Sequence, residues 1–349
     1  MAKLLSDKAD LIVEYIKQHP YSSSKEIYDN LGLEVSYATF KRGLQDLVTG
    51  NLIHTTGKLK GTKYEISQTY DILRTIEVEE YFKKEIDERV ILKGYNYTLI
   101  NNTLTQVSIF SKQELEHLNN LQNQYTKNVS KLSEAEFKNE LERLAVDLSW
   151  KSSQIEGNTY SLLETERLLK EKETANGKTK DEATMLLNHK EALDFIISHP
   201  DYINPLAVSR IEDIHSILIK ELNISKNLRN NRVGISGTNY KPLDNEFQIR
   251  EALTSMCGII NQEENIFAKT FLALVLISYI QPFVDGNKRT ARIISNAILI
   301  DNKYCPISFR TVDSIEYKKA MLIFYEQNNI SAFKKIFINQ FEFAVNTYF

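Results

Sequence analysis

Residues 279–292, YIQPFVDGNKRTAR, concentrate the side chains best suited to chemistry: a carboxylate, an Asp-Gly-Asn turn and three cations. A turn of that kind opening a helix aims free backbone N–H groups, and the positive end of the helix dipole, at one spot where a phosphate fits. Lys288 and Arg289 add charge at its mouth. Arg292 follows Arg289 by three positions, which puts both guanidinium groups on one helix face. Asp285 is placed to hold a magnesium ion that shares phosphate oxygens. The same residues also suit an ordinary helix start with basic side chains on the surface.

Such a loop needs rigid elements on either side. Residues 271–280, FLALVLISYI, are the longest apolar run, about half of what a bilayer span requires, and read as a buried helix leading into the turn. Residues 290–300 form the helix that follows. Only 12 Gly and 6 Pro occur in 349 residues, and apolar positions recur at the 3.6-residue period, so the protein should be mainly α. With 42% hydrophobic and 26% charged residues, the composition excludes wholesale disorder and a membrane-spanning chain. No signal-peptide core opens the sequence, and Cys257 and Cys305 stand too far apart for a metal knuckle or a disulfide framework. A cytoplasmic protein without a membrane partner is expected. The net charge of −3 means that any nucleic acid must be held by a local patch.

The length predicts two or three domains. Residues 1–67 form the first. Ser6 can cap a helix with the stripe Ala9, Ile12, Val13 and Ile16. A second helix starts at Ser23 or Ser24 and runs through Ile27 and Leu31 to Gly32, and a third starts near Ser36 and carries Phe40, Leu44, Leu47 and Val48 to Gly50. Alternating segments 51–55 and 63–66, joined by the turn 57–61, read as a hairpin. Three helices and a hairpin make a winged helix-turn-helix. Between Ser36 and Tyr64 the bases Lys41, Arg42, Lys58, Lys60 and Lys63 oppose one acid, Asp46, a local charge of +4. Those five are the candidate contacts to duplex DNA, with Ser36, Tyr37, Thr39 and Lys41 turned to the bases. Alternatively the module serves protein contact, or dimerisation that would make the chain a homodimer. Residues 68–148 read as a connector and helical region, 149–320 as the main helical domain, and 321–349 as a C-terminal helical segment. Within the main domain, residues 233–240, VGISGTNY, alternate and carry two glycines, which predicts a second hairpin.

Pro282, Phe283, Asp285, Gly286, Asn287, Arg289 and Arg292 resemble the signature loop of the Fic family, His-Pro-Phe-x-(Asp/Glu)-Gly-Asn-x-Arg-x-x-Arg, at seven of eight fixed positions. Lys288 is a variant also seen in the related Doc branch. The resemblance implies a helical Fic core with a small β-hairpin flap. It also implies transfer of AMP from ATP to a hydroxyl side chain of a target protein, which can be the chain itself. Asp285 would then bind Mg2+. Gly286, Asn287 and Lys288 would cradle ATP, and Arg289 and Arg292 would hold its outer phosphates, with Asn287 and Arg289 counted among the catalytic residues. Residues 152–158, SSQIEGN, resemble the inhibitory motif (Ser/Thr)-x-x-x-Glu-(Gly/Asn) found on a helix before the core in some Fic proteins, here expected over about residues 149–167. In that class the glutamate, here Glu156, pairs with the second arginine of the loop, here Arg292, and keeps the γ-phosphate out of place. The hairpin at 233–240 matches the flap, so Gly234, Ile235, Ser236, Gly237 and Thr238 would present an edge to the target backbone.

One position departs from the family. The histidine that serves as general base is replaced by Gln281. A neutral amide can position a hydroxyl group but cannot take its proton, and loss of a general base costs about 10²–10⁴ in rate. Electrostatic and positioning contributions would survive. Two expectations remain: a weakened adenylyltransferase inhibited by Glu156, or an inactive ATP-binding regulator on the same scaffold. His215 falls on a helix among Ile211, Ile214 and Leu218, where a core histidine is the better reading than a substitute base.

Overall fold

The computed structural model describes residues 2–67 and 69–349, with side chains described from Ala9 onward except that of Lys60. Residues 2–66 enclose a core of their own. The helices α1 (Ala2–Gln18), α2 (Ser24–Leu31) and α3 (Tyr37–Thr49) pack on a sheet of β1 (Ser22–Ser23), β2 (Ile53–Thr56) and β3 (Lys63–Ile66). The strand order is β1-β3-β2, both pairings are antiparallel, and Thr55 stands opposite Tyr64. Ile12, Val13 and Ile16 of α1 meet Ile27, Phe40, Leu44, Leu47, Ile53 and Tyr64 in that core. Local chemistry sets the helix ends. Ser23 and Glu26 form a reciprocal capping box, Gly32 closes α2 at φ 55°, and Ser36 accepts the Thr39 N–H at the start of α3. The Ser6 start falls inside α1, because the good helix formers Ala2 to Leu5 extend it backwards; the Ser6 side chain lies outside the described ones.

From residue 70 onward one large apolar core runs from Ile72 to Tyr348, with a small separate cluster of Tyr160, Leu168, Ala183 and Leu186 beside it. The connector supplies single turns α4 (Tyr70–Leu73) and α5 (Val78–Tyr81), irregular turns at 99–106, and α6 (Lys112–Val129). Then follow α7 (Glu134–Ile155), α8 (Leu162–Glu171), α9 (Lys180–Ser198), α10 (Val208–Leu218), α11 (Glu246–Gln262), α12 (Ile266–Ile280), α13 (Asn287–Asp301), α14 (Ser314–Gln327) and α15 (Ser331–Tyr348). Breaks near 148 and 320 are therefore not seen: Leu99, Leu118 and Phe341 belong to the same core as Phe283. Every residue of α12 from Thr270 to Ile280 is buried, and α13 packs along it, so the loop between them rests on the most solid part of the molecule.

Two expected elements take another form. The single helix expected over about 149–167 is two: α7 starts earlier and ends at Ile155, and α8 begins after a capping box at Ser161. Gly157 at φ 104°, with the Asn158 N–H donating to the Ser153 carbonyl, makes the turn between them. Residues 233–240 form no pair of strands. The backbone bonds made at and beside this segment are not strand pairs: Arg89 donates to the Gly237 carbonyl, the Tyr240 N–H to the Thr238 hydroxyl, and the Lys241 N–H to the Lys93 carbonyl. A turn at Ser236 and Gly237 and one bridge between Lys241 and Gly94 are what remains of the hairpin. No helix among the described residues is long and apolar enough to cross a membrane.

Candidate functional site

The loop joining α12 to α13 is shaped by the side chain of Asn287. Its Oδ1 accepts the Phe283 N–H at 2.8 Å, while its Nδ2 donates to the Phe283 carbonyl at 2.8 Å and to Gln281 Oε1 at 3.1 Å. Beneath the loop, the Phe283 ring lies flat on His215, with centroids 3.6 Å apart. The His215 Nε2–H donates to the Asp285 carbonyl at 3.0 Å. A carbonyl only accepts, so Nε2 carries the proton. Burial draws the imidazole down to about 4, which keeps it neutral. Gly286 sits at φ 80°, and a Cβ there would come to 3.4 Å of both His215 and Ile219. Thus His215 braces the loop from below, in the core role expected of it.

Above this brace, α13 opens with no side-chain cap. Its first turn presents unbonded N–H groups, the condition for an anion site. Arg289 is buried and donates through Nη2 to Asp285 at 3.0 Å, yet its Nε and Nη1 have no partner. Arg292 is fully buried. Its Nε donates to the Ser152 hydroxyl at 2.8 Å and its Nη2 to the Ser152 carbonyl at 3.0 Å, its Nη1 is unpartnered, and its plane lies over the Tyr317 ring. Buried guanidinium donors without acceptors are costly unless an anion completes them. The donor set therefore fits a polyphosphate. Asp285, 59% exposed, fits a magnesium ion that takes one carboxylate from the protein and its other ligands from phosphate and water. Among the described residues no cluster of three or more His, Cys, Asp or Glu side chains offers a protein-only metal site.

Glu156 closes the far side of this set. It follows α7 directly, and its Oε1 accepts from Arg292 Nη2 at 2.7 Å while its Oε2 lies 3.4 Å from Lys288 Nζ. Burial alone would raise this carboxyl; Arg292, then Lys288, outweigh burial and hold it at about 2. The carboxylate is charged across the physiological range.

Gln281 ends α12 in the left-handed conformation, at φ 51°. Its amide is spent inside the protein: Nε2 donates to the Ser278 carbonyl at 2.7 Å and to the Tyr325 hydroxyl at 3.2 Å, and Oε1 accepts from Asn287. His189 is fully buried with Nδ1 3.3 Å from the Ser149 hydroxyl, and burial, followed by Arg292 and Arg289, depresses its pKa. Neither His189 nor His215 is exposed at the loop. Sequence reasoning missed Arg229, whose Nε donates to the Gln281 carbonyl at 2.6 Å and whose N–H donates to the Pro282 carbonyl at 3.0 Å. Its role as a cap of α12 arises 52 residues away in the chain, and no local pattern marks it.

Of the five flap candidates, Ile235 packs on the core, Gly237 is bonded through its carbonyl to Arg89, and Gly234 and Ser236 are exposed. Thr238 accepts from the Tyr240 N–H. Among the DNA-contact candidates, Lys41, Arg42 and Lys58 are exposed, whereas Lys63 is tied to Glu26 at 3.1 Å, which takes one charge out of the patch. The side chain of Lys60 lies outside the described residues. Tyr37 shares a hydrogen bond with Ser24, and Ser36 and Thr39 are engaged with each other at the cap of α3.

Residues 205–299 match the Fic/DOC family. The chain carries a Fic/DOC domain. Two curated relatives are named protein adenylyltransferase Fic: one from Nematostella vectensis, 30% identical over 173 residues (48% of this chain, 40% of that protein), and one from Culex quinquefasciatus, 26% identical over 163 residues (44% and 31%). The match thus spans less than half the length of these relatives. Among solved structures, Fic-1 (residues 134–508) from C. elegans superimposes with a TM-score of 0.59 at 18% identity, over 68% of this chain and 72% of that one. A Fic domain containing signaling protein from Bacteroides thetaiotaomicron gives 0.55 at 21% identity, over 66% and 93%. These likenesses establish the fold. The Fic/DOC match includes the whole loop, from Gln281 to Arg292, and stops short of Glu156 and of the N-terminal module.

Proposed function

We propose that this Fic/DOC domain binds ATP with Mg2+ at the start of α13 and transfers AMP to a hydroxyl side chain of a protein target, with Glu156 holding the site shut. The observation that carries this reading is the pair of half-satisfied arginines. Arg289 and Arg292 are buried with three N–H-bearing atoms between them lacking acceptors, and Glu156 occupies the outer face of one. The α13 amides would bind the inner phosphates, and Arg289, Arg292 and Lys288 the outer ones once Glu156 swings away. Asp285 would exchange Arg289 for the magnesium ion. Bound ATP supplies the AMP group, with pyrophosphate leaving as the hydroxyl oxygen bonds to the α-phosphorus. The hydroxyl proton must pass to water, because Gln281 cannot accept it, and the reaction is correspondingly slow.

A second reading has a specific observation in its favour. Both polar atoms of the Gln281 amide are bonded within the protein, which leaves an incoming hydroxyl at most the second acceptor site of Oε1. In this reading the domain binds ATP without turning it over and acts as a regulator. The N-terminal module would then be the output: a winged helix-turn-helix that contacts duplex DNA through Lys41, Arg42 and Lys58. Incubation with labelled ATP and Mg2+ separates the two. Label on protein from the Glu156→Gly variant supports transfer, and tight ATP binding by that variant without label supports the regulator.

A further inference from the structure

The connector holds a buried charge that neither reading uses. Arg89 has a side chain only 3% exposed, and it faces Glu326, which is wholly buried near the end of α14, at 3.1 Å. The same guanidinium donates through Nη2 to the Gly237 carbonyl at 2.8 Å. Glu326 also accepts from the Tyr81 hydroxyl at 2.6 Å, and its carbonyl accepts the Leu92 N–H at 2.8 Å. Two further ties flank Arg89. Asn239 donates to Asp87 at 2.8 Å, and the Lys241 N–H donates to the Lys93 carbonyl at 3.3 Å. Residues 81–94 thus form a strap from the end of α14 to the turn at Gly237.

A buried ion pair is weak evidence for stability, since desolvation offsets much of its attraction; its best-supported use is to fix one arrangement among several. Here the arrangement fixed is that of residues 229–241. That segment meets the loop at both ends: Arg229 bonds the Gln281 and Pro282 carbonyls, and the Tyr240 ring stacks 5.7 Å from that of Tyr325, which accepts from Gln281. Between these anchors Ile235 packs on the core and Gly237 lies beside Leu322, and Arg89 supplies the hydrogen bond at the turn itself. The planar fork of the guanidinium lets one side chain serve a carboxylate and a carbonyl together.

We propose that Arg89 is a positioning residue for the flap segment: from the connector, it holds the Gly237 turn at the place from which a target backbone is presented to the loop. The presentation of a target rests on the transfer reading, whereas the holding of the turn does not. The strap is also the stretch of chain that leads to the N-terminal module.

Amide hydrogen exchange on the full chain tests the proposal. Arg89→Lys keeps a charge for Glu326, but one ammonium on an unforked stem cannot serve Gly237 as well. Exchange at Tyr240 and Lys241, whose amides donate to the Thr238 hydroxyl and the Lys93 carbonyl on either side of the strap, should quicken at least about tenfold, while α12 and α13 keep their protection and the unfolding temperature stays close to that of the parent. Should Arg89→Lys fold poorly, the neutral pair R89Q/E326Q gives the same readout without a buried charge. In a Glu156→Gly background, either variant should leave ATP–Mg2+ affinity within about twofold, because the phosphate site is untouched. Unchanged exchange at Tyr240 and Lys241 overturns the proposal, as does an acceleration that spreads through α12 and α13 or a collapse of ATP binding. The exchange result stands independently of nucleotide, so its failure leaves the ATP site to be judged on its own.

Discussion

The carboxylate of Glu156 lies 2.7 Å from Nη2 of Arg292, although 136 residues separate them in the chain. Two independent elements, the end of α7 and the second turn of α13, have to be fixed against each other for this contact to form. Arg292 is locked by Ser152 on α7 itself, so the same helix that carries Glu156 also aims its partner. Under the proposed function this contact is the closed form, stabilised by charge, and its release would leave the cations for phosphate.

The Glu156 carboxyl is held at about 2, below the ordinary carboxylate value of 4.5. A depressed pKa in the folded state means that the stabilisation is complete above the ordinary value and is lost only as pH falls towards the depressed one. The ratio of ATP–Mg2+ affinities between Glu156→Gly and the parent should therefore stay constant between about pH 5.5 and 8.5. A ratio that shrinks steadily below pH 7 would show that protonation opens the latch.

Lys288 has two roles that oppose each other. With Glu156 present, its ammonium faces the carboxylate at 3.4 Å; under the proposed function, with Glu156 gone, it would be one more cation for the outer phosphate. Lys288→Ala is expected to tighten ATP–Mg2+ binding by a fewfold in the parent and to weaken it in Glu156→Gly. Calorimetry on the four proteins of this cycle measures the coupling. An effect of the same sign in both backgrounds contradicts the shared latch.

The loop was readable because its residues form one contiguous stretch: Asp285, Asn287, Arg289 and Arg292 suit an anion at a helix start, and the resemblance to the Fic loop set that reading above an ordinary basic helix start. The N-terminal module was legible from its caps and apolar stripes for the same reason. What could not be read arrives from far along the chain. Arg229, Arg89 and the bond from His215 to the Asp285 carbonyl reach the loop and the 233–240 segment across 52, 148 and 70 residues, and no local periodicity marks these contacts. The alternation at 233–240 misled for a related reason. It signals a strand only where a second strand supplies the partners, and here Arg89, the Thr238 hydroxyl and Lys93 supply them instead.

Gly286 is favoured at its position by the left-handed backbone, while a Cβ there would only touch its neighbours. Gly286→Ala places a side chain at φ 80° against His215 and Ile219, which should cost about 1–2 kcal/mol from the backbone alone. Thermal unfolding should fall by a few degrees, and ATP–Mg2+ binding should weaken further than stability does because the α13 amides shift. An unchanged affinity separates the loop from the phosphate site.

If Gln281 is what limits the chemistry, Gln281→His in a Glu156→Gly background should raise labelling from ATP by about 10² or more, the size of a general-base contribution. The substitution also removes the acceptor for Asn287, so binding has to be measured beside it. Preserved ATP binding with no gain in label means that more than the base has been lost.

For the N-terminal module, the triple change Lys41→Ala, Arg42→Ala and Lys58→Ala should weaken duplex DNA binding and reduce the salt slope by about 0.9 for each phosphate contact removed. Equal affinity and slope in parent and variant assign the module to protein contact instead.

The most direct test of the account is calorimetric titration of ATP–Mg2+ into three proteins: the parent, Glu156→Gly, and Glu156→Gly with Arg289→Ala. The account requires weak binding by the parent, binding at least about tenfold tighter once Glu156 is removed, and loss of that gain when Arg289 goes as well. Equal affinities in all three would mean that the start of α13 is not the phosphate site and that Glu156 guards nothing.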